Sequence, residues 1–209
     1  MRFLVLCSLL WSAEEFKVQP LQEGAPTEVS EAIRKELAPA GNRVLRGGKP
    51  FVDFWFRAAV PTADPAKGLG INYPTVRQGG LVGVARFHAG SSDFKSQKFP
   101  AGVYTMRFAI QPEDGDHQGT AESRDFLLLC QTAVDQSPDA VESKELNKLS
   151  AKVNGKKHPA VLFLVSGQGG TLPRVIHDET AERAVFEAEV PAGGKPLRFS
   201  IVIVGKAAE

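Results

Sequence analysis

Cysteine is scarce in this chain, and with it goes any disulfide framework. Only Cys7 and Cys130 are present. Cys7 lies in an apolar N-terminal run that reads as a removable signal, so no intrachain bridge is expected in the mature protein. Cys130 sits in an apolar strand pattern and reads as a small buried hydrophobe rather than a reactive thiol. Long apolar runs are lacking too: residues 3–11 form the longest, about half of what a membrane-spanning helix needs. Neither sign of charge dominates. The 25 basic and 24 acidic residues are mixed along the chain and leave a net charge of +1, so no long-range field gathers polyanions and nucleic acid is not an expected partner.

Familiar catalytic signatures are missing as well. The sequence has no Gly-x-x-x-x-Gly-Lys-Ser/Thr phosphate loop, no His-Glu-x-x-His zinc helix and no Gly-x-Ser-x-Gly nucleophile elbow. Ser166-Gly167-Gln168-Gly169-Gly170 follows a strand pattern, but the third glycine of the dinucleotide fingerprint is absent and Pro173 stands where a helix should run, so the segment reads as a turn. Cys130 has no histidine at close spacing, which removes a blue-copper site, and the missing Cys-x-x-Cys-His removes a c-type haem. No cofactor is expected.

What is present is an ordinary globular composition, 43% hydrophobic and 23% charged, enough to build a core. Met1-Arg2, the apolar run and Ser12-Ala13 have the layout of a secretory signal, which predicts export to the periplasm or beyond. Residues 1–13 are then a signal segment and residues 14–209 one domain. Lipid attachment at Cys7 is disfavoured, because Leu4-Val5-Leu6 puts no small residue beside it.

After a polar lead, Thr27 can cap a helix whose Val29, Ile33 and Leu37 recur every four residues, with Gly41 as terminator. Residues 42–46 and 51–57 read as strands about Gly47-Gly48, a pair that supplies the positive φ of a tight hairpin. Residues 58–72, with two prolines and two glycines, read as a surface loop. Strands follow at 81–87 and, beyond a lead at 94–100 and the turn Pro100-Ala101-Gly102, at 103–111. In that last strand Tyr104, Met106, Phe108 and Ile110 alternate with Thr105, Arg107 and Gln111, the pattern of a half-buried strand. Residues 124–131 are apolar on both faces, as in a strand covered on each side. Ser137-Pro138-Asp139 looks like a helix start, Leu146, Leu149 and Val153 share a face, and Asn154-Gly155 supplies the stop. Further strands are expected at 160–165, 184–190 and 197–204. About seven or eight strands with short connections predict a mostly β fold, an antiparallel β-sandwich of jelly-roll or Ig-like type with two short helices.

The run from Pro100 through Val103-Tyr104-Thr105-Met106-Arg107-Phe108, then Gly115-Asp116-His117 and Arg124-Asp125-Phe126-Leu127-Leu128-Leu129, resembles a group of uncharacterised exported bacterial β-sandwich proteins. The matching stretches are a minor part of the chain. The resemblance implies a sandwich fold and an extracytoplasmic location, and it carries no activity.

Two sites stand out. The loop Glu113-Asp114-Gly115-Asp116-His117 gathers three carboxylates and an imidazole. Asp114, Asp116 and His117 could hold a metal, with His88 or His177 from elsewhere, although the spacing does not fit the calcium loop and such residues also favour plain turns. In the strand at 51–57, period-two alternation puts Phe51, Asp53, Trp55 and Arg57 on the face opposite Val52, Phe54 and Phe56. An aromatic plate flanked by a carboxylate and a guanidinium could stack on a sugar or peptide, whereas a covering element would instead make Trp55 part of the core. The sequence therefore favours a non-enzymatic binding or accessory module for carbohydrate, peptide or another envelope protein, with a metal-dependent enzyme or metal-binding protein as the alternative.

Overall fold

The computed structural model describes residues 16–112, 122–156 and 158–205. In chain order the elements are β1 (Phe16–Leu21), α1 (Glu31–Arg34), β2 (Gly41–Arg46), β3 (Lys49–Phe56), β4 (Leu81–Phe87), β5 (Ser91–Ser92), β6 (Lys98–Phe99), β7 (Gly102–Ile110) and β8 (Asp125–Gln131). They continue with α2 (Ser143–Asn154), β9 (Val161–Phe163), β10 (Arg174–Asp178), β11 (Arg183–Ala192) and β12 (Lys195–Val204). At 45% strand and 9% helix the protein is mostly β. Seven strands form one sheet in the order β1-β2-β3-β4-β7-β8-β9, three form a second as β10-β11-β12, and β5 and β6 pair alone. Every ladder is antiparallel.

Local chemistry explains the hairpins. Gly47 and Gly48, at φ of 56° and 77°, close β2 onto β3 in a conformation that a side chain would resist, and Gly193 and Gly194 do the same between β11 and β12. The inner faces of the two sheets share one apolar core. Phe54 of the large sheet stacks on Phe186 of the small one at 4.8 Å, and Tyr73, from the segment between β3 and β4, stacks on Phe199 at 4.9 Å. Along one side a bridge between Leu164 and Ile201 ties the large sheet to β12. On the other, Phe16 meets His177 at 5.2 Å without a ladder between β1 and β10, and no closed barrel forms.

The outer face of the large sheet is covered as well. Residues 21–37 lay Leu21, Val29, Ile33 and Leu37 over Trp55, Leu81 and Val84. Helix α2 sets Leu146 against Phe126, Leu128 and Cys130 of β8, so that strand is apolar on both faces, as its sequence implies.

Several expectations change. A strand, β1, replaces the polar lead; it is an edge strand, where Pro20 costs no interior ladder bond. Helix α1 has four residues and is capped by Ser30, whose Oγ accepts from the Ile33 amide at 3.3 Å, rather than by Thr27. Gly41 opens β2 instead of ending a helix, because a Cβ there would lie 2.6 Å from the Phe54 carbonyl oxygen and 3.0 Å from the Trp55 ring. The Ser137 hydroxyl bonds Asp139 in a local turn and α2 starts only at Ser143, while its stop at Gly155, φ 65°, falls as expected. The 58–72 segment runs over the surface as expected except at Val60, which enters the core, and Tyr73 and Val76 beyond it do the same. The 94–100 lead begins as a turn about the Asp93 carboxylate, which accepts from the Lys95 and Gln97 amides, and then enters the short strand β6. A further strand, β10, follows Pro173.

Candidate functional site

The alternation in β3 holds for Asp53 and Trp55, whose outer face is closed, but Phe51, beside a register shift against β2, turns to the inner core with Val52 and Phe87. Trp55 is 1% exposed, packed under residues 21–37, and its Nε1 donates to the Glu23 carbonyl at 2.8 Å. No ring face is open for stacking, which corrects the aromatic plate expected of Asp53, Trp55 and Arg57. Arg57 pairs with Glu36 at 2.8 Å and donates to the Pro138 carbonyl, so it ties two covering segments to the sheet. Asp53 is fully buried and belongs to a different grouping: it accepts two bonds from Arg43, at 2.7 and 2.9 Å, and one from His88 Nε2 at 2.8 Å. Burial pushes its carboxyl upward in pKa, but the bonds from Arg43 and His88 outweigh that and hold it below the usual range. An ionised carboxylate only accepts, so the imidazole donates from Nε2. The sequence did not mark Arg43, and it offered His88 only as a distant metal ligand, because the three residues meet across adjacent strands.

Two other charge clusters are equally committed. Thr105 and Arg107, expected on an open face of β7, are both 0% exposed. Arg107 grips both Asp135 oxygens at 2.6 and 2.7 Å and donates to the carbonyls of Gly79, Ser137 and Asp139, while the Thr105 hydroxyl joins the same carboxylate. Glu187 on β11 gathers the Gln168 amide, the Ser200 hydroxyl, Arg174 and Arg198. Its carboxyl, pushed up by burial, is drawn below its ordinary pKa by those donors. The glycine-rich segment 166–170 thereby becomes a cover over two guanidiniums, whose N–H groups it meets with the carbonyls of Gln168, Gly169 and Gly170.

Asp114, Asp116 and His117 lie outside the described residues. Among the described residues no group of three or more His, Cys, Asp or Glu side chains is placed to hold a metal ion. His88 is engaged by Asp53, and His177 packs against Phe16. Cys130 is buried, and desolvation raises its thiol to about 12, so it stays protonated at neutral pH.

Among the clefts of the described residues, one of about 730 Å³ opens at one end of the inter-sheet core. Four separated parts of the chain build it: the β2–β3 hairpin gives Arg46 and Phe51, the β5–β6 pair gives Ser91 and Lys98, the end of α2 gives Asn154, and the end of β12 gives Ile203. Phe99 lies in its floor, edge-on to Phe87 at 4.9 Å and to Tyr104 at 5.8 Å, and the Tyr104 hydroxyl pins the adjoining turn by donating to the Pro100 carbonyl. Arg46 sits over the rings of Phe16 and Phe51, at 5.8 and 5.5 Å.

No protein-family model, no curated protein and no solved structure matches the chain.

The cleft must therefore be read from its own chemistry. Two of its described lining residues are cations and none is a carboxylate. Asn154 is incompletely paired: its Oδ1 accepts from the Lys156 amide at 2.9 Å, but its Nδ2 is buried and has no hydrogen-bond partner. A buried donor left without an acceptor costs about 1–3 kcal/mol, and its position on a cleft marks where an acceptor would be gained. Sequence reasoning touched this site only through Phe51. Lining residues drawn from four distant segments carry no local spacing, and the asparagine looks from the sequence like an ordinary helix stop.

Proposed function

We propose that this chain is a non-enzymatic, extracytoplasmic binding or accessory module of β-sandwich type that takes its ligand in the end cleft. The observation carrying the reading is the unpartnered Asn154 Nδ2 on a cleft walled by Phe51, Phe99, Arg46 and Lys98. Mouths of two-sheet and barrel cores are common ligand positions, and a few polar groups on an apolar floor suit orientation of a small molecule. The clusters that could have suggested acid–base chemistry, around Asp53, Asp135 and Glu187, are occupied in holding covering segments to the sheets.

The location rests on the signal-like segment 1–13 and on the resemblance to exported proteins. No described helix is long and apolar enough to cross a membrane. Two measurements test the reading. Intact mass of natively expressed protein should show a mature start between about Ser12 and Phe16; retention of Met1 overturns the export reading. Amide chemical-shift mapping with oligosaccharide and peptide probes should move cleft residues, and an unresponsive cleft would remove the binding assignment.

A further inference from the structure

The walls of the end cleft also narrow the class of ligand, on the reading that this cleft is the binding site. We propose that it takes a short peptide in extended conformation, recognised through its main chain. Three features of the lining converge on that class.

The first is a strand edge. Gly90, Ser91 and Ser92 line the cleft, and among the described residues β5 is paired on one side only, with β6. The Asp93 amide donates to the Gln97 carbonyl at 3.0 Å, so that residue points its amide inward, across the β5–β6 turn. Main-chain groups alternate in direction along an antiparallel strand, and Ser92, one residue back and opposite Lys98, therefore turns its own amide and carbonyl away from β6. An outward donor and acceptor on one residue are what an extended peptide pairs with in strand addition.

The second is the wall formed by the end of α2. Asn154 has its Oδ1 taken by the Lys156 amide at 2.9 Å, so what it offers the cleft is the buried Nδ2, a donor without an acceptor. A peptide carbonyl only accepts and leaves nothing unpaired at that spot, whereas a sugar hydroxyl brings a proton that needs a further partner. The third is the floor. Phe99 is held edge-on by Phe87 at 4.9 Å and Tyr104 at 5.8 Å, Phe51 by Phe16 at 6.1 Å and Phe87 at 6.4 Å, and Val153 and Ile203 extend the same apolar surface. In an extended peptide every second side chain points the same way, so an uncharged apolar side chain can meet this floor while the main chain pairs with Ser92.

The test uses the isotope-labelled full chain and three probes: the uncharged peptide acetyl-Val-Thr-Val-Thr-amide, the same peptide with every main-chain amide N-methylated, and the trisaccharide maltotriose. The unmethylated peptide should shift the amides of Phe51, Ser91 and Ser92 and the side-chain amide of Asn154. At saturation it should slow hydrogen exchange at the Ser92 amide about tenfold, as for one main-chain bond gained. N-methylation keeps the side chains and carbonyls but removes the donors, and should weaken binding about tenfold. Asn154→Ala should weaken the unmethylated peptide about fivefold, with the variant remaining folded by the same spectra. Equal binding of the N-methylated peptide would overturn main-chain recognition while leaving the cleft as a site for side chains. Tighter binding of maltotriose would overturn the peptide class while leaving the cleft as a saccharide site. If none of the three moves the cleft residues, the ligand class and the binding site fall together.

Discussion

Arg107 and Arg46 belong to the same sheet and live under opposite conditions. Arg107, on the covered face of β7, is wholly buried and meets a carboxylate and three carbonyls, supplied by residues 135–139 and by Gly79 ahead of β4. Arg46, at the end of β2, sits on two aromatic rings beside a cleft whose described lining has no carboxylate. The chain places Asp135 and three carbonyls against the first and two aromatic rings against the second. Where a covering segment seals the charged cluster, the cluster holds structure together; where rings and an amide donor without an acceptor line a cleft, they leave chemistry for a ligand.

The sharpest way to break this contrast is to remove the counter-charge from the sealed region. Asp135→Ala leaves the Arg107 guanidinium buried without its carboxylate and should cost about 3–5 kcal/mol in urea unfolding. The double change Arg107→Met with Asp135→Leu should recover much of that loss, because an apolar pair replaces the ion pair instead of orphaning half of it. A single-variant loss below about 1 kcal/mol would mean that water reaches Arg107 and that the face is not sealed.

The covering of Trp55 offers a second, smaller test. Gly41→Ala would press a methyl against the Phe54 carbonyl at 2.6 Å and the indole at 3.0 Å, and should cost about 1–3 kcal/mol. Quenching of Trp55 by iodide should be negligible in the parent and rise in the variant. Ready quenching in the parent would reopen the stacking surface that the sequence suggested.

These two regions also separate what could be read from residue order. Period and turn chemistry are local, so the β2–β3 hairpin, β4, the double-sided apolar pattern of β8 and the end of α2 were all legible. Burial of the second face is not local. Thr105 and Arg107 carry the alternation of a solvent-facing edge, and only Asp135, 28 residues beyond Arg107, turns that face inward. Trp55 is the same case, since a four-residue helix and the loop before it do the covering. The cleft was the least legible part, because none of its four contributing segments contains a motif.

Acid titration sharpens the contrast on the sealed side. Burial raises the carboxyls of Asp93 and Asp125 above the ordinary range in spite of their amide donors, so the folded state takes up their protons first and stability should rise slightly as pH falls through those values. Asp53 and Glu187 are held below the ordinary range, so their contribution is present above the unfolded carboxylate pKa and is lost as pH falls through the folded one. The stability curve should therefore show a shallow maximum in mild acid and then a steep fall. Asp53→Asn should lower stability near neutrality and flatten the fall; an unchanged acid limb would show that Asp53 is not held as an ion. Lys98→Ala should leave the curve's shape as it is, since the cleft contributes no titrating carboxylate among its described residues.

The smallest effect is expected at Asn154, and its sign is what matters. Replacing it with Ala deletes the Oδ1 bond to the Lys156 amide, an exposed contact of modest value. It also deletes the buried Nδ2 donor that has no partner, and it substitutes a better helix former in the last turn of α2. The two gains exceed the one loss, so Asn154→Ala should raise stability by about 0.5–1 kcal/mol, a type of increment common when a functional residue is removed. Asn154→Asp is the discriminating partner. It keeps the Oδ1 bond, removes the orphan donor and adds negative charge at the negative end of the helix, so it should gain nothing. Thermal unfolding of both variants beside the parent checks the order. If Asn154→Ala melts below the parent, the amide is doing structural service in the free protein, and the contrast between the paired Arg107 cluster and the cleft loses its most specific residue.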